Sequence, residues 1–249
     1  MRILDVIQRS VFRSFFWRDG LFIRLFFCLL IPLAFTVQAA NLKPVNNTVG
    51  EVIDFEAPTP GSYKLMHIMP AGDGLVLDTD GKRKHLSGFT KGKVTLLSFI
   101  YSSCADPAGC PYAYMVFHQL KDRLEQNSQL HGKVRLISLS FDPKRDTPEV
   151  MRLYGNGETD KRKSVEWKFL TTSSIKELLP ILDYYGQDVF IELDTVTKQP
   201  LSTFSHMLKV FLIDQNGVVR EIYSSVYLKP DMVYNDIITL LMENGAIAQ

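Results

Sequence analysis

Residues 94–101 read Val94-Thr95-Leu96-Leu97-Ser98-Phe99-Ile100-Tyr101, an unbroken apolar, β-rich run. Ser102-Ser103-Cys104 follows it, then Ala105-Asp106-Pro107-Ala108-Gly109 and Cys110-Pro111. A run of this kind without alternation marks a strand covered on both faces, the habit of strands in α/β sheets. Pro111 opens the next segment, and Met115, Val116, Leu120 and Leu124 recur at helical spacing with charges opposite, so a helix is predicted over residues 111–126. The pattern then repeats. Residues 134–141 (VRLISLSF) predict a second buried strand, and Thr147-Pro148-Glu149 opens a helix with a capping residue and proline in first position.

Working outward, residues 167–171 predict a further strand and residues 173–185 (SSIKELLPILDYY) a helix interrupted by Pro180. Residues 195–205 read as irregular. Residues 207–213 and 218–222, joined through Gln215-Asn216-Gly217, predict a hairpin, and Lys229-Pro230 starts a last amphipathic helix running to about Met242. Upstream, short apolar stretches at 63–69 and 75–77 flank Pro70-Ala71-Gly72-Asp73-Gly74. With the tight-turn pair Asp80-Gly81 they predict an N-terminal hairpin. Strands alternating with helices imply an α/β domain with a central, mainly parallel sheet flanked by helices. There is no internal repeat, and the domain is placed at 61–249, preceded by a linker or arm at 40–60 with three prolines.

Composition excludes several classes. With 249 residues, 46% hydrophobic and 22% charged, the chain is neither disordered nor too short to bury a core. Lys+Arg 28 against Asp+Glu 27 gives a net charge of +1, so no basic surface recommends nucleic acid as a partner. Three cysteines, Cys28, Cys104 and Cys110, are too few for a disulfide scaffold or a zinc array.

The first 39 residues set the expected compartment. Arg2, Arg9, Arg13, Arg18 and Arg24 precede the apolar run LFFCLLIPLAFTV of residues 25–37, and Val37 and Ala39 supply small residues at −3 and −1. This is the pattern of a secretory signal peptide cleaved after about Ala39. The alternative is an uncleaved anchor, with residues 21–39 serving as a membrane tether. Either reading predicts an exported protein, periplasmic or anchored facing the periplasm. Cys28 reads as apolar filler, since Arg24-Leu25-Phe26-Phe27 before it lacks the small residue of a lipidation site. Without residues 1–39 the net charge is −2 and two cysteines remain.

Cys104 lies past the end of the first buried strand and Cys110 at the start of the following helix, the edge of an α/β sheet where ligand sites collect. Unpaired N–H groups at a helix start favour thiolate, the form that attacks disulfides and binds soft metals. A structural disulfide is the alternative, but so short a loop contributes only about 2 kcal/mol. For a metal, His206 before the 207–213 strand is the candidate third ligand, and two thiolates with an imidazole suit Cu(I) and accept Cu(II). Otherwise His206 is a hydrogen-bonded strand-edge residue. His118 falls two turns beyond Cys110, and His85 and His131 sit in polar turns. Met66-His67-Ile68-Met69 offers thioethers for copper but is explained as well by one face of a strand.

The buried strand with Cys104…Cys110-Pro111 resembles the Sco/SenC family. So do the strand at 136–141 leading into Asp142-Pro143-Lys144-Arg145-Asp146-Thr147-Pro148-Glu149-Val150, and Ser205-His206 ahead of Leu212-Ile213-Asp214 and Gly217. The likeness covers about residues 50–245, and the DPKRDTPEV stretch is its most specific part. It implies a thioredoxin-like fold with an added N-terminal hairpin, and copper delivery to the copper A centre of membrane-bound cytochrome c oxidase. It also implies a thiol–disulfide role, with Cys104, Cys110 and His206 as copper ligands by motif match. The family pattern has three residues between its cysteines; here there are five, with Asp106-Pro107 answering to the family's Pro-Asp.

Two other functions compete with copper delivery to the oxidase or to another copper or redox protein of the envelope. One is a thiol–disulfide oxidoreductase in which Cys104 attacks and Cys110 resolves. The other is a binding domain with a permanent disulfide. Asp142, Arg145 and Asp146 read mainly as structural, a turn leaving the strand with acidic residues near a helix start.

Overall fold

The computed structural model describes residues 56–159 and 164–248. The export signal or anchor at 1–39, Cys28, the tether at 21–39 and most of the 40–60 arm lie outside the described residues. Among the described residues no helix is long and apolar enough to cross a membrane.

The strands, in chain order, are β1 (Met69–Pro70), β2 (Leu75–Leu77), β3 (Arg83–His85), β4 (Val94–Ile100), β5 (Val134–Ser140), β6 (Glu166–Leu170), β7 (Val189–Leu193), β8 (Pro200–His206), β9 (Val210–Ile213) and β10 (Val218–Tyr223). The main helices are α1 (Cys110–Glu125), α2 (Pro148–Tyr154), α3 (Ile175–Tyr184) and α4 (Pro230–Glu243). Six strands form one sheet in the order β1-β10-β9-β4-β5-β6. Strands β4, β5 and β6 run parallel, and the antiparallel hairpin β9–β10 closes the other side. This is the thioredoxin-like α/β arrangement that the strand–helix alternation and the family resemblance imply.

Burial accounts for the central strands. Every residue of β4 is buried, as its unbroken apolar run requires. On one face Trp167 and Phe169 stack at 5.0 Å between centroids, and Tyr114 and Phe117 of α1 and Tyr154 of α2 pack on them. On the other face Phe99, Phe211 and Tyr185 form an edge-to-face triad at 4.8–5.9 Å. The start of α2 follows the expected capping chemistry: the Thr147 hydroxyl accepts the Val150 N–H at 3.3 Å and Pro148 takes the first position.

Three local expectations change. The N-terminal hairpin is β2–β3, turning at Asp80-Gly81, whereas the end of the 63–69 stretch forms β1 and joins the main sheet beside β10. Pro180 does not interrupt α3. It sits inside the helix on its exposed side, where a missing N–H removes one ladder bond but creates no buried orphan. Residues 195–205 are not irregular throughout, because 200–206 form β8 and pair antiparallel with β7 as a separate ribbon. The ribbon escapes a search for buried strands because most of its residues are partly or fully exposed.

The described end of the 40–60 arm lies over α4. Asn235 donates to the Pro58 carbonyl at 3.0 Å, and the Gly61 N–H donates to the Thr239 hydroxyl at 3.0 Å. Downstream, the buried Arg220 side chain donates to the carbonyls of Leu65 and Met66 at 2.7 and 2.9 Å and pairs with Asp214 and Glu243.

Candidate metal centre

Strands β4 and β5 end side by side, and the residues just past them, Tyr101 and Phe141, form an aromatic floor with centroids 5.2 Å apart. The ribbon β7–β8 docks on this floor. Phe204 packs edge-on against Tyr101 at 5.2 Å and Phe141 at 5.6 Å, and the His206 ring lies 4.8 Å from that of Phe141. Alternation along β8 puts Phe204 and His206 on the same, inward side. The last residue of the ribbon is thereby delivered to the carboxyl edge of the parallel strands.

The cysteines arrive from the other direction. Cys104 follows the end of β4, its N–H donating to the Tyr101 carbonyl at 3.2 Å, and Cys110 is the first residue of α1. The five residues between them fold into an Asp106-centred turn. The Asp106 carboxylate accepts the Ala108 N–H at 3.0 Å, and its carbonyl accepts the Gly109 N–H at 3.0 Å. A loop longer than the family pattern is thus taken up locally, and both sulfurs still face one point. Neither thiol is in a disulfide.

The sulfurs of Cys104 and Cys110 and a ring nitrogen of His206 all lie within 4.8 Å of one another. Nε2 of His206 is 3.7 Å from Sγ of Cys110, and Nδ1 is 3.3 Å from the Met207 carbonyl. A carbonyl only accepts, so this contact assigns the proton to Nδ1 and leaves the Nε2 lone pair toward the sulfurs. Gln187, buried, donates to the same carbonyl at 3.0 Å and holds it in place. Burial lowers the His206 imidazole below its ordinary value, with a smaller opposing contribution from the Met207 carbonyl, and so favours the neutral ring that a metal needs. Beside Cys104 and His206 opens a cleft of about 290 Å³ that Asp106, Glu192 and Thr203 also line.

Cys110 departs from one expectation. Its place at a helix start predicts an easily formed thiolate, but it is only 1% exposed. Burial pushes its thiol up, and the neighbouring Cys104 adds to the effect, so desolvation outweighs the helix N–H groups. Cys104 is the more accessible of the two. A soft metal held by both sulfurs would remove this penalty by replacing the protons, which is the chemistry this donor set fits.

The remaining candidates stand apart. His118 contacts Glu158 at 2.7 Å and Asp122 at 3.6 Å, His85 contacts Asp73 at 3.0 Å, and His131 contacts the Glu125 carbonyl at 2.9 Å. His67 is exposed and Met66 is 74% exposed. Among the described residues Cys104, Cys110 and His206 are the one metal-competent group of histidine, cysteine and acidic side chains. Tyr101, Phe141, Phe204 and Gln187 are the parts of the site that the sequence reading missed. Period-two spacing of Phe204 and His206 was the available signal, diluted by polar neighbours.

The loop after β5 reaches both halves of the site. Arg145 pairs with Asp142 and lies 5.3 Å from the centre of the Phe204 ring, while Asp146 accepts hydrogen bonds from Ser102.

A family profile described as SCO1/SenC matches residues 75–242. No curated protein matches the chain. Among solved structures, apo Sco1 from Thermus thermophilus is 23% identical at a TM-score of 0.58, covering 74% of this chain and 98% of that one. Copper-bound ScoI from Arabidopsis thaliana is 21% identical at 0.54, covering 70% and 98%. BsSco, described as a member of the Sco family of cytochrome c oxidase assembly proteins with a disulfide switch, is 22% identical at 0.52, covering 75% and 100%. At these identities the likeness establishes the shared fold.

Proposed function

The chain belongs to the SCO1/SenC family, and from that premise we propose that it is an exported copper-binding protein that assists assembly of a membrane-bound cytochrome c oxidase. Cys104 and Cys110 supply thiolates and His206 the imidazole. Copper, as Cu(I) or Cu(II), is the cargo, handed to the copper A centre. The observation that carries this reading is the convergence of two sulfurs and one ring nitrogen within 4.8 Å. Copper-bound ScoI from Arabidopsis thaliana supports the choice of metal, and the description of BsSco supports the choice of oxidase. The basic and apolar run of residues 1–39 supports export, with the domain released into the periplasm or held at the membrane by residues 21–39.

The site's own groups supply what transfer requires. A neutral imidazole binds without first losing a proton, the aromatic floor keeps water from one side, and the half-exposed Cys104 offers a sulfur to an incoming partner ligand. Titrating the reduced protein with Cu(I) and Cu(II) against a competing chelator tests the assignment. Changing both cysteines to serine should abolish tight binding and His206→Ala should weaken it. Unchanged affinity in both would overturn the ligand set.

A second reading has its own observation: two unbonded thiols of unequal exposure lie within bonding reach after small movement. In it the pair reduces partner cysteines, Cys104 attacking and Cys110 resolving. A mixed disulfide with a partner, trapped in Cys110→Ser, would support it. Failure to trap one while copper transfers normally would remove it.

A further inference from the structure

Cys110 is held by a helix and His206 by a strand, but Cys104 belongs to no regular element. Its N–H reaches back to the Tyr101 carbonyl at 3.2 Å, and a side chain from another part of the chain fastens the same loop. The side chain that does so is Asp146, four residues beyond Asp142 in the loop after β5. Asp146 is only 1% exposed, and the neighbouring Arg145 pairs with Asp142 instead. Three donors converge on the Asp146 carboxylate. The Ser102 N–H donates to Oδ2 at 2.9 Å, the Ser102 hydroxyl donates to Oδ1, and the Ser140 hydroxyl donates to Oδ2 at 2.5 Å. A buried carboxylate is costly unless its oxygens are satisfied, and a group that only accepts is what three converging donors call for. Ser140 ends β5 and Ser102 lies two residues before Cys104, so the carboxylate fastens the cysteine loop to the end of the sheet.

We propose that Asp146 is a positioning residue of the metal centre, setting where the Cys104 sulfur stands relative to Cys110 and His206 by its grip on Ser102. The proposal rests on the reading of these three residues as the working site. It gives Asp146 a role beyond a turn. Replacing it with asparagine keeps size, shape and one acceptor oxygen but removes the charge and puts an amide donor where the second oxygen stood, so the grip on Ser102 is weakened without a cavity.

The test uses the reduced protein as it exists, with Asp146→Asn, Ser102→Ala and the double variant, at a temperature where circular dichroism shows each folded. Cu(I) affinity against a chelator should fall on the order of tenfold to a hundredfold in each single variant. The double variant should fall no further than Asp146→Asn alone, because both act through one contact. The sulfur-to-Cu(II) charge-transfer band should also shift. Wild-type affinity and spectrum in Asp146→Asn, even with a lowered melting temperature, would overturn the proposal. If Asp146→Asn does not fold, Ser102→Ala alone decides in the same way.

If the wild-type protein and its double cysteine variant bind copper alike, the copper reading fails and a second measurement judges the positioning. Cys104 and Cys110 are equilibrated with oxidised glutathione, the two thiols losing two protons and two electrons to form their disulfide while one oxidised glutathione becomes two reduced ones. Asp146→Asn should make the protein disulfide about tenfold less favoured, because loosened thiols meet less often. An unchanged equilibrium would overturn the proposal.

Discussion

Nε2 of His206 lies 3.7 Å from Sγ of Cys110, although 96 positions separate the two residues in the chain. Neither residue's own element explains the meeting. It depends on a partly exposed ribbon docking Phe204 and His206 onto Tyr101 and Phe141 at the carboxyl edge of the sheet. The two thiols consequently differ: Cys110 sits beneath the imidazole, buried, and Cys104 remains partly open.

That difference predicts selective labelling. A limited amount of iodoacetamide at neutral pH should alkylate Cys104 first, since burial both shields Cys110 and pushes its thiol up. Peptide mass spectrometry reads the ratio of the two adducts. Equal labelling in the folded protein would contradict the geometry.

The arm leading into the domain is latched by a buried carboxyl. Tyr63 and Tyr223 both donate their hydroxyls to Asp236, the latter at 2.6 Å. Tyr63→Phe leaves one Asp236 oxygen without its partner and should cost about 1–3 kcal/mol in urea unfolding. Hydrogen exchange at the Gly61 amide, which donates to Thr239 on the same helix, should speed up.

Acid sensitivity has an identifiable contributor at the start of β6. Partial burial raises the Glu166 carboxyl, but Arg135, Lys168 and Lys93 outweigh it and bring it to about 2 from an ordinary 4.5. A depressed carboxyl stabilises the fold above its unfolded value, and that contribution is lost as pH falls through the folded one. Wild type should therefore exceed Glu166→Gln in stability at pH 7, with the gap closing between about 4.5 and about 2. The effect should be modest, because the pairs are solvent-screened. Urea midpoints measured across that range check it; a gap independent of pH would assign the effect elsewhere.

Gly155 closes α2 where no side chain fits. A Cβ there would stand 2.3 Å from Cδ2 of Phe169, inside the aromatic stack on β6. Gly155→Ala should destabilise by about 1–3 kcal/mol through overpacking, read as a lowered melting temperature.

Much of the fold was legible because its signals are local. The runs that became β4 and β5, the Thr147-Pro148 start of α2 and the Asn216-Gly217 turn each carry their conformation in neighbouring residues. The ribbon β7–β8 was not legible, because its residues stay half in water and lack a strong pattern. Asp146 looked like a turn residue for the same reason: an acidic side chain before a helix is common, and nothing beside it announces that three donors wait in space.

Composition and periodicity were enough to place two cysteines at the mouth of an α/β sheet, since burial on both faces and helical spacing are properties of short stretches. The five-residue spacing left their relation to His206 open. Its answer lies in packing: an Asp106 turn absorbs the longer loop, a carboxylate from another strand end anchors it, and an aromatic floor receives the ribbon that bears the imidazole. Those contacts join residues from three separate parts of the chain, and their energies exist only once the sheet has brought the parts together.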